Sequence, residues 1–391
     1  MTSLLLGIIY LAFISLGLPD TLLGAAWPAM YPSLSVPVAS AGLLSMLIAA
    51  STIISSLLSG RVLRRFGTSK VTLASVSLTA VALLGFSLSG SFWALCLWAV
   101  PYGLGAGSVD AALNHYVALH YSSRHMNWLH CFWGVGATVG PTVMGFCLAR
   151  GLGWPAGYRI IGLAQVAVAA VLALSLPLWK KMPSGAPAAG EAQGKSLTLM
   201  QALRLPGARL LLPAFFCYCA LEATSGLWIA SYLTLTRGFA ADLAAQFAAV
   251  FYLGITVGRL LSGWVSNRLG NPRMVRAGQI LSFCGLALFL LAQGTEAFFI
   301  SCALLGLGCA PVFPALLHET PVNFGKQHAQ TLMGMQMASA YLGTTLMPPL
   351  FGLLARAAGT GLLPYYLLVF TGCMTLLTEA AARRVRRRGP A

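Results

Sequence analysis

From Leu4 to Trp27 the chain runs through apolar residues broken by one charge, Asp20, and eleven more stretches of similar length and character follow. About 20 such residues are what an α-helix needs to cross the hydrocarbon of a bilayer. Of 391 residues, 58% are hydrophobic and 8% charged, against about a quarter charged in a soluble domain. A water-facing fold has no place for so many apolar runs. The chain is expected to be an all-α polytopic membrane protein.

Windows of spanning length fall near 4–30, 39–60, 71–90, 92–119, 127–149, 157–178, 210–235, 243–266, 274–293, 296–318, 329–355 and 362–381. Only LSGSF separates the third from the fourth. The first stretch lacks the basic region that opens a signal peptide, and its apolar run continues to Trp27, so it reads as a spanning helix. The nine cysteines lie in apolar surroundings without metal-ligand spacing and read as small buried hydrophobes.

The net charge of +16 invites a nucleic-acid reading, but the placement of the cations argues otherwise. With both ends cytoplasmic, nineteen of the 24 Lys and Arg residues fall on the inner side, from Arg61, Arg64, Arg65 and Lys70 to the RRVRRR tail. The excess of basic residues in inner loops sets orientation, so a multi-pass protein of the plasma (inner) membrane with both termini cytoplasmic is expected. The basic tail then meets lipid headgroups rather than nucleic acid. The long polar stretch KKMPSGAPAAGEAQGKSLTLMQALRLPGAR divides six spans from six. It predicts an N-terminal bundle over 1–178, a flexible cytoplasmic linker over 179–209 with a short helix near Leu197–Leu205, and a C-terminal bundle over 210–391.

The halves echo each other at a shift of 203 residues: SGRVLRRFG (59–67) becomes SGWVSNRLG (262–270), and GLGAGSVDAALNH (103–115) becomes GLGCAPVFPALLH (306–318). A repeat of this kind points to a transporter with its site near mid-membrane, between the repeats. Twelve spans, a central loop and G-x-x-x-x-R-x-G after the second and eighth spans resemble the major facilitator superfamily. That resemblance implies two pseudo-symmetric six-helix bundles. The superfamily's loop motif normally has an acid just before its conserved basic residue; here Arg64 and Asn267 stand there. Arg65, Gly67, Arg268 and Gly270 are the candidate gating residues of the two loops. Pro311 and Pro314, expected to break or bend the tenth span, are candidates too.

The eight acids fall into two groups by their place in the chain. Glu191 lies in the linker, Asp242 and Glu296 near outer span ends, Glu319 at an inner end and Glu379 beside the basic tail. Asp20, Asp110 and Glu222 remain inside the first, fourth and seventh spans. A carboxylate in a bilayer is costly and normally faces a cavity or a partner. Burial disfavours the charged form, which suits a group that takes up and releases a proton. These three are the candidate proton-coupling residues.

Helical spacing gathers polar partners around them. Asp110 and Asn114 are one turn apart, with Gly103 and Gly107 continuing that face as a groove for a neighbouring helix. Asp20, Gly24 and Trp27 share a stripe, as do Tyr218, Glu222 and Ser225, with Trp228 about 60° further round. Acids, an amide, hydroxyls and aromatic faces suit a sugar-like ligand. Asn127 and His130 open the fifth span one turn apart, while Gln336 and Tyr341 offer hydrogen bonds on the eleventh. The histidines at 115, 120, 125 and 130 do not make a metal site, because five-residue steps turn each ring away from the last.

GSVDAALNHYV followed by NWLHCFWGVGATVGP resembles the fucose-permease branch of the superfamily. The resemblance implies that Asp20 and Asp110 couple protons, with Asn114 and His130 near substrate. Asp110 stands where that branch has a glutamate, and His130 where it commonly has a glutamine. The expected function is inward, proton-coupled symport of a small hydroxylated solute, a sugar or glycoside, by a monomer. The rival is drug/proton antiport on the same fold. No cofactor beyond the coupling proton is expected. An enzyme is not, since there is no nucleophile–base pair, metal spacing or phosphate loop.

Overall fold

The computed structural model describes residues 2–121, 123–179 and 199–386. Every described element is helical. In chain order these are α1 (Thr2–Asp20), α2 (Leu22–Ser33), α3 (Ser40–Phe66), α4 (Thr68–Leu88), α5 (Phe92–His120), α6 (Ser123–Ala149) and α7 (Gly153–Trp179). After the central segment come α8 (Leu199–Arg204), α9 (Ala208–Leu235), α10 (Ala241–Leu269), α11 (Asn271–Leu291), α12 (Thr295–Cys309), α13 (Val312–Phe324), α14 (Lys326–Ala358) and α15 (Leu363–Arg386). They provide 12 spans long and apolar enough to cross a membrane. The third and fourth spans part at residues 89–91, where the Ser91 hydroxyl accepts the Ala94 N–H at 3.3 Å and starts α5.

Two spans are each built from two helices. The tenth breaks between α12 and α13, at Ala310 and Pro311, as its prolines predict. The first also breaks, at Thr21, where the sequence reading took it as continuous. The cause lies two residues earlier. Pro19 has no N–H to give the carbonyl one turn back, and that carbonyl, on Ser15, takes the side-chain amide of Gln165 from α7 instead. The Thr21 hydroxyl then donates to the Ala137 carbonyl of α6 at 2.9 Å. Polar groups freed by a helix break in lipid need such partners.

The chain gathers into two compact units, Met1–Ala189 with Ile229–Ala249, and Gly190–Trp228 with Val250–Ala391. The adjoining ends of the seventh and eighth spans thus group with the first unit rather than with the rest of their own helices. Of the central linker, α8 forms within the stretch read as a short helix, and residues 180–198 lie outside the described ones.

Within the first unit α1 lies along α6, α3 along α5, and α4 against both α5 and α7. Lipid tails are as apolar as leucine, so close packing rather than exclusion from water has to hold such helices together. Glycines make it possible. A methyl group on Gly17 would strike the Trp133 carbonyl, and one on Gly136 the Ile14 carbonyl, so α1 and α6 touch backbone to backbone. Gly103 and Gly107 meet the carbonyls of Ile48 and Thr52 in the same way. The groove expected on α5 is therefore occupied by α3. In the second unit α11 lies along α12 and also meets α13 and α15, and Gly306 abuts the Phe251 carbonyl of α10.

The outer surface is apolar as well: Leu57, Leu88, Leu174 and Leu291 are largely exposed. In water such a surface would aggregate; in a bilayer it is simply lipid-facing.

Candidate functional site

Asp20 ends α1, at the break in the first span, and its side chain is exposed. Two neighbours hold it. The Tyr102 hydroxyl of α5 donates to Oδ1 at 2.9 Å, and the Trp133 indole N–H of α6 donates to Oδ2 at 2.8 Å. The glycine contacts between α1 and α6 set this register, since the backbone of Trp133 rests on Gly17. Each carboxylate oxygen thus receives one charge-assisted bond, the stronger kind. One turn before Trp133, His130 is exposed and meets Phe13 edge-on at 5.8 Å between ring centroids.

Asp110 lies within electrostatic range of Asp20. Its Oδ1 accepts the Asn114 amide at 2.9 Å, and the same amide reaches the Asp110 backbone carbonyl at 3.0 Å. The two residues share a face, as their spacing requires, and both are half-buried. The first unit therefore brings together Asp20, Asp110, Asn114 and two donors that the sequence reading did not single out. Tyr102 and Trp133 were invisible to periodicity, because what selects them is the register of α5 and α6 against α1.

The second unit holds a separate charged group. Tyr218 is buried and donates its hydroxyl to Oε2 of Glu222, one turn along α9. Arg259 of α10 places Nη2 3.6 Å from Oε1 of the same carboxylate. In the sequence Arg259 stands within an apolar span, and nothing local gives it a role. Its position in an apolar run was the signal that it needs an anion. Ser225, on the same stripe, turns its hydroxyl to the Leu221 carbonyl of its own helix at 2.7 Å.

Other expected site residues are placed differently. Trp27 does not share an environment with Asp20. The helix is interrupted between them, and the indole is fully buried with its N–H on the Val38 carbonyl at 2.8 Å. Trp228 is equally sealed, donating to the Pro348 carbonyl at 2.9 Å against Phe351. Gln336 is fully buried in a hydrogen bond to Thr320, its Nε2 2.8 Å from the hydroxyl. Tyr341 is 40% exposed on α14. Asn127 sits on α6, but its side chain lies outside the described residues.

The loop motifs have matching backbones. Gly67 joins α3 to α4 at φ 77°, and Gly270 joins α10 to α11 at φ 75°, a region a side chain rarely adopts. Arg65 is exposed with its guanidinium 5.4 Å from the Phe66 ring, and Arg268 is exposed. In the second loop Asn271 donates to Glu319 at 3.0 Å, tying α11 to α13. Arg276 and Glu379 pair α11 with α15, Nη2 to Oε2 at 2.9 Å. Pro311 is buried at the start of α13, whereas Pro314 is exposed in its first turn.

Known proteins resemble this chain in sequence and in fold. An uncharacterised MFS-type transporter of Yersinia pestis is 26% identical over 93% of this chain and 92% of its own length. The crystal structure of a point mutant of the nucleoside transporter NupG superposes with a TM-score of 0.71 at 14% identity, over 96% of this chain and 98% of that one. That of a bacterial homologue of the human lysosomal transporter Spinster, inward-facing and occupied, gives 0.70 at 16% identity, over 97% and 95%. The sequence profile of the Major Facilitator Superfamily matches residues 9–318 and 212–390. With twelve spans, paired glycine turns and intramembrane carboxylates already in view, the chain belongs to the Major Facilitator Superfamily of membrane transporters.

Proposed function

We propose that this transporter carries a small hydroxylated solute, a sugar or glycoside, into the cell together with a proton. The halves 1–178 and 210–391, joined by the linker 179–209, alternate access while both termini stay in the cytoplasm. One observation carries the reading: an exposed carboxylate, Asp20, stands at a helix break with donors from two other helices, and Asp110 lies within its electrostatic range. A carboxylate within an apolar span is costly as an anion, so taking up a proton removes that cost.

The donors make that uptake reversible. An indole N–H can only donate, whereas a tyrosine hydroxyl both donates and accepts. A proton arriving at Asp20 therefore settles on Oδ1, where the Tyr102 hydroxyl turns from donor to acceptor and the Trp133 bond to Oδ2 survives. Asn114 keeps Asp110 oriented, and with His130 it offers polar atoms to solute hydroxyls.

Asp20→Asn tests this, because its amide reproduces the protonated acid: the carbonyl accepts from Trp133 and the NH₂ donates to Tyr102. The variant should fold and exchange solute, yet fail to accumulate it against a gradient in proteoliposomes. Full concentrative uptake by the variant would remove Asp20 from coupling, and export of lipophilic cations by the native protein would favour the drug antiporter.

A further inference from the structure

The Tyr218–Glu222–Arg259 group is not needed to couple a proton to a neutral sugar through Asp20 and Asp110. It must do something else. An arginine inside an apolar span is tolerated where an anion compensates it, and Glu222 is that anion. The contact is loose, however. Arg259 Nη2 stands 3.6 Å from Oε1, well outside the 2.7–2.9 Å of a charge-assisted hydrogen bond. The two side chains also keep 20% and 19% of their surface open, so another group can reach them. Tyr218 touches the other carboxylate oxygen and can stay bonded whether Glu222 is charged or neutral. The thiols of Cys219 on α9 and Cys309 on α12 also lie in electrostatic range of Glu222.

We infer that Arg259, Glu222 and Tyr218 form an anion subsite, at which an acidic group of the solute takes the place of Glu222 on Arg259 while Glu222 takes up a proton. The inference rests on the symport reading above and narrows its hydroxylated solute to one bearing a carboxylate, such as a sugar acid. The charges balance: one negative charge leaves the arginine as another arrives, and the proton comes from solvent. Without the solute, protonation would take from Arg259 the negative charge that Glu222 supplies. Without the proton, two anions would compete for one guanidinium. Binding of each therefore promotes binding of the other by the same factor.

The test uses the purified full-length protein with three matched pairs: glucose and glucuronate, galactose and galacturonate, sorbitol and gluconate. Binding is read by thermal shift at about pH 5.5 and 7.5, and solute-driven proton entry is read in liposomes. At least one acid should bind about tenfold or more tightly than its neutral partner, and more tightly at the lower pH. Glu222→Gln should abolish that pH dependence while retaining the acid. Arg259→Gln should lose the acid's advantage, and the uncharged double variant R259Q/E222Q, which strands no charge, should lose it too. If a neutral sugar moves protons while its acid is ignored, or the double variant binds the acid as the native protein does, the subsite is overturned and the symport reading stands. If no solute of either kind moves a proton, both fall.

Discussion

Trp133 illustrates how a single side chain can be essential to a site and still escape periodicity. It lies in a quoted stretch, one turn from His130, yet its partner is 113 residues away on another helix. Hydrogen bonds to a charged group contribute about 1.5–3 kcal/mol. A double-mutant cycle with Trp133→Phe and Asp20→Ala, read by thermal or denaturant unfolding, should return a coupling energy of about that size; additive effects would mean the bond contributes nothing. The acids themselves were legible, because a carboxylate in a twenty-residue apolar run has few explanations. So was Asn114, since an i, i+4 pair needs no tertiary information. Trp27 was misplaced for a physical reason: a stripe drawn at i, i+4 and i+7 assumes one unbroken helix, and the break at Thr21 invalidates it. Arg259 was visible as a residue but not as a partner, because nothing local joins it to Glu222.

At the scale of helices, proline chemistry explains both the success and the miss. Pro311 breaks the tenth span where expected, and Pro19 does the same near Thr21, but only the fold shows that Gln165 stands ready to take the carbonyl Pro19 leaves free. Glycine plays the complementary part. α1 and α6 approach so closely at Gly136 that any side chain there meets the Ile14 carbonyl. Gly136→Val should push the helices apart, cost about 1–3 kcal/mol by overpacking, and weaken uptake by drawing Trp133 from Asp20. Gly7→Val, on the same α1 with open space around it, is the control and should leave melting temperature and uptake unchanged. Equal effects from the two would contradict the packing account. The boundary between the third and fourth spans, blurred in the sequence, became clear because Ser91 caps α5, a side-chain bond that hydropathy does not register.

For the molecule as a whole, hydropathy sufficed to place twelve spans, because a bilayer imposes length and apolarity on every helix alike. The repeat was equally legible. Gly67 and Gly270, separated by the 203-residue shift seen in the sequence, take up nearly the same left-handed backbone. What composition cannot register is which end of a helix groups with which unit, and residues 229–249 of the seventh and eighth spans group with the first. The proposed orientation, with both termini cytoplasmic, rests on the placement of the cations. A fluorescent protein fused after Arg386 should light up in the cytoplasm, while alkaline phosphatase fused at the same point stays inactive; the reverse pattern would invert the topology.

The proposed symport turns on a carboxylate of the first unit exchanging its proton as the solute crosses. The direct measurement is proton entry and solute accumulation followed together in liposomes holding the native protein or Asp110→Asn. The native protein should admit protons when solute is added and concentrate that solute on a pH gradient. The variant should still exchange labelled for unlabelled solute while doing neither. Proton entry and uphill uptake undiminished in Asp110→Asn would contradict the account.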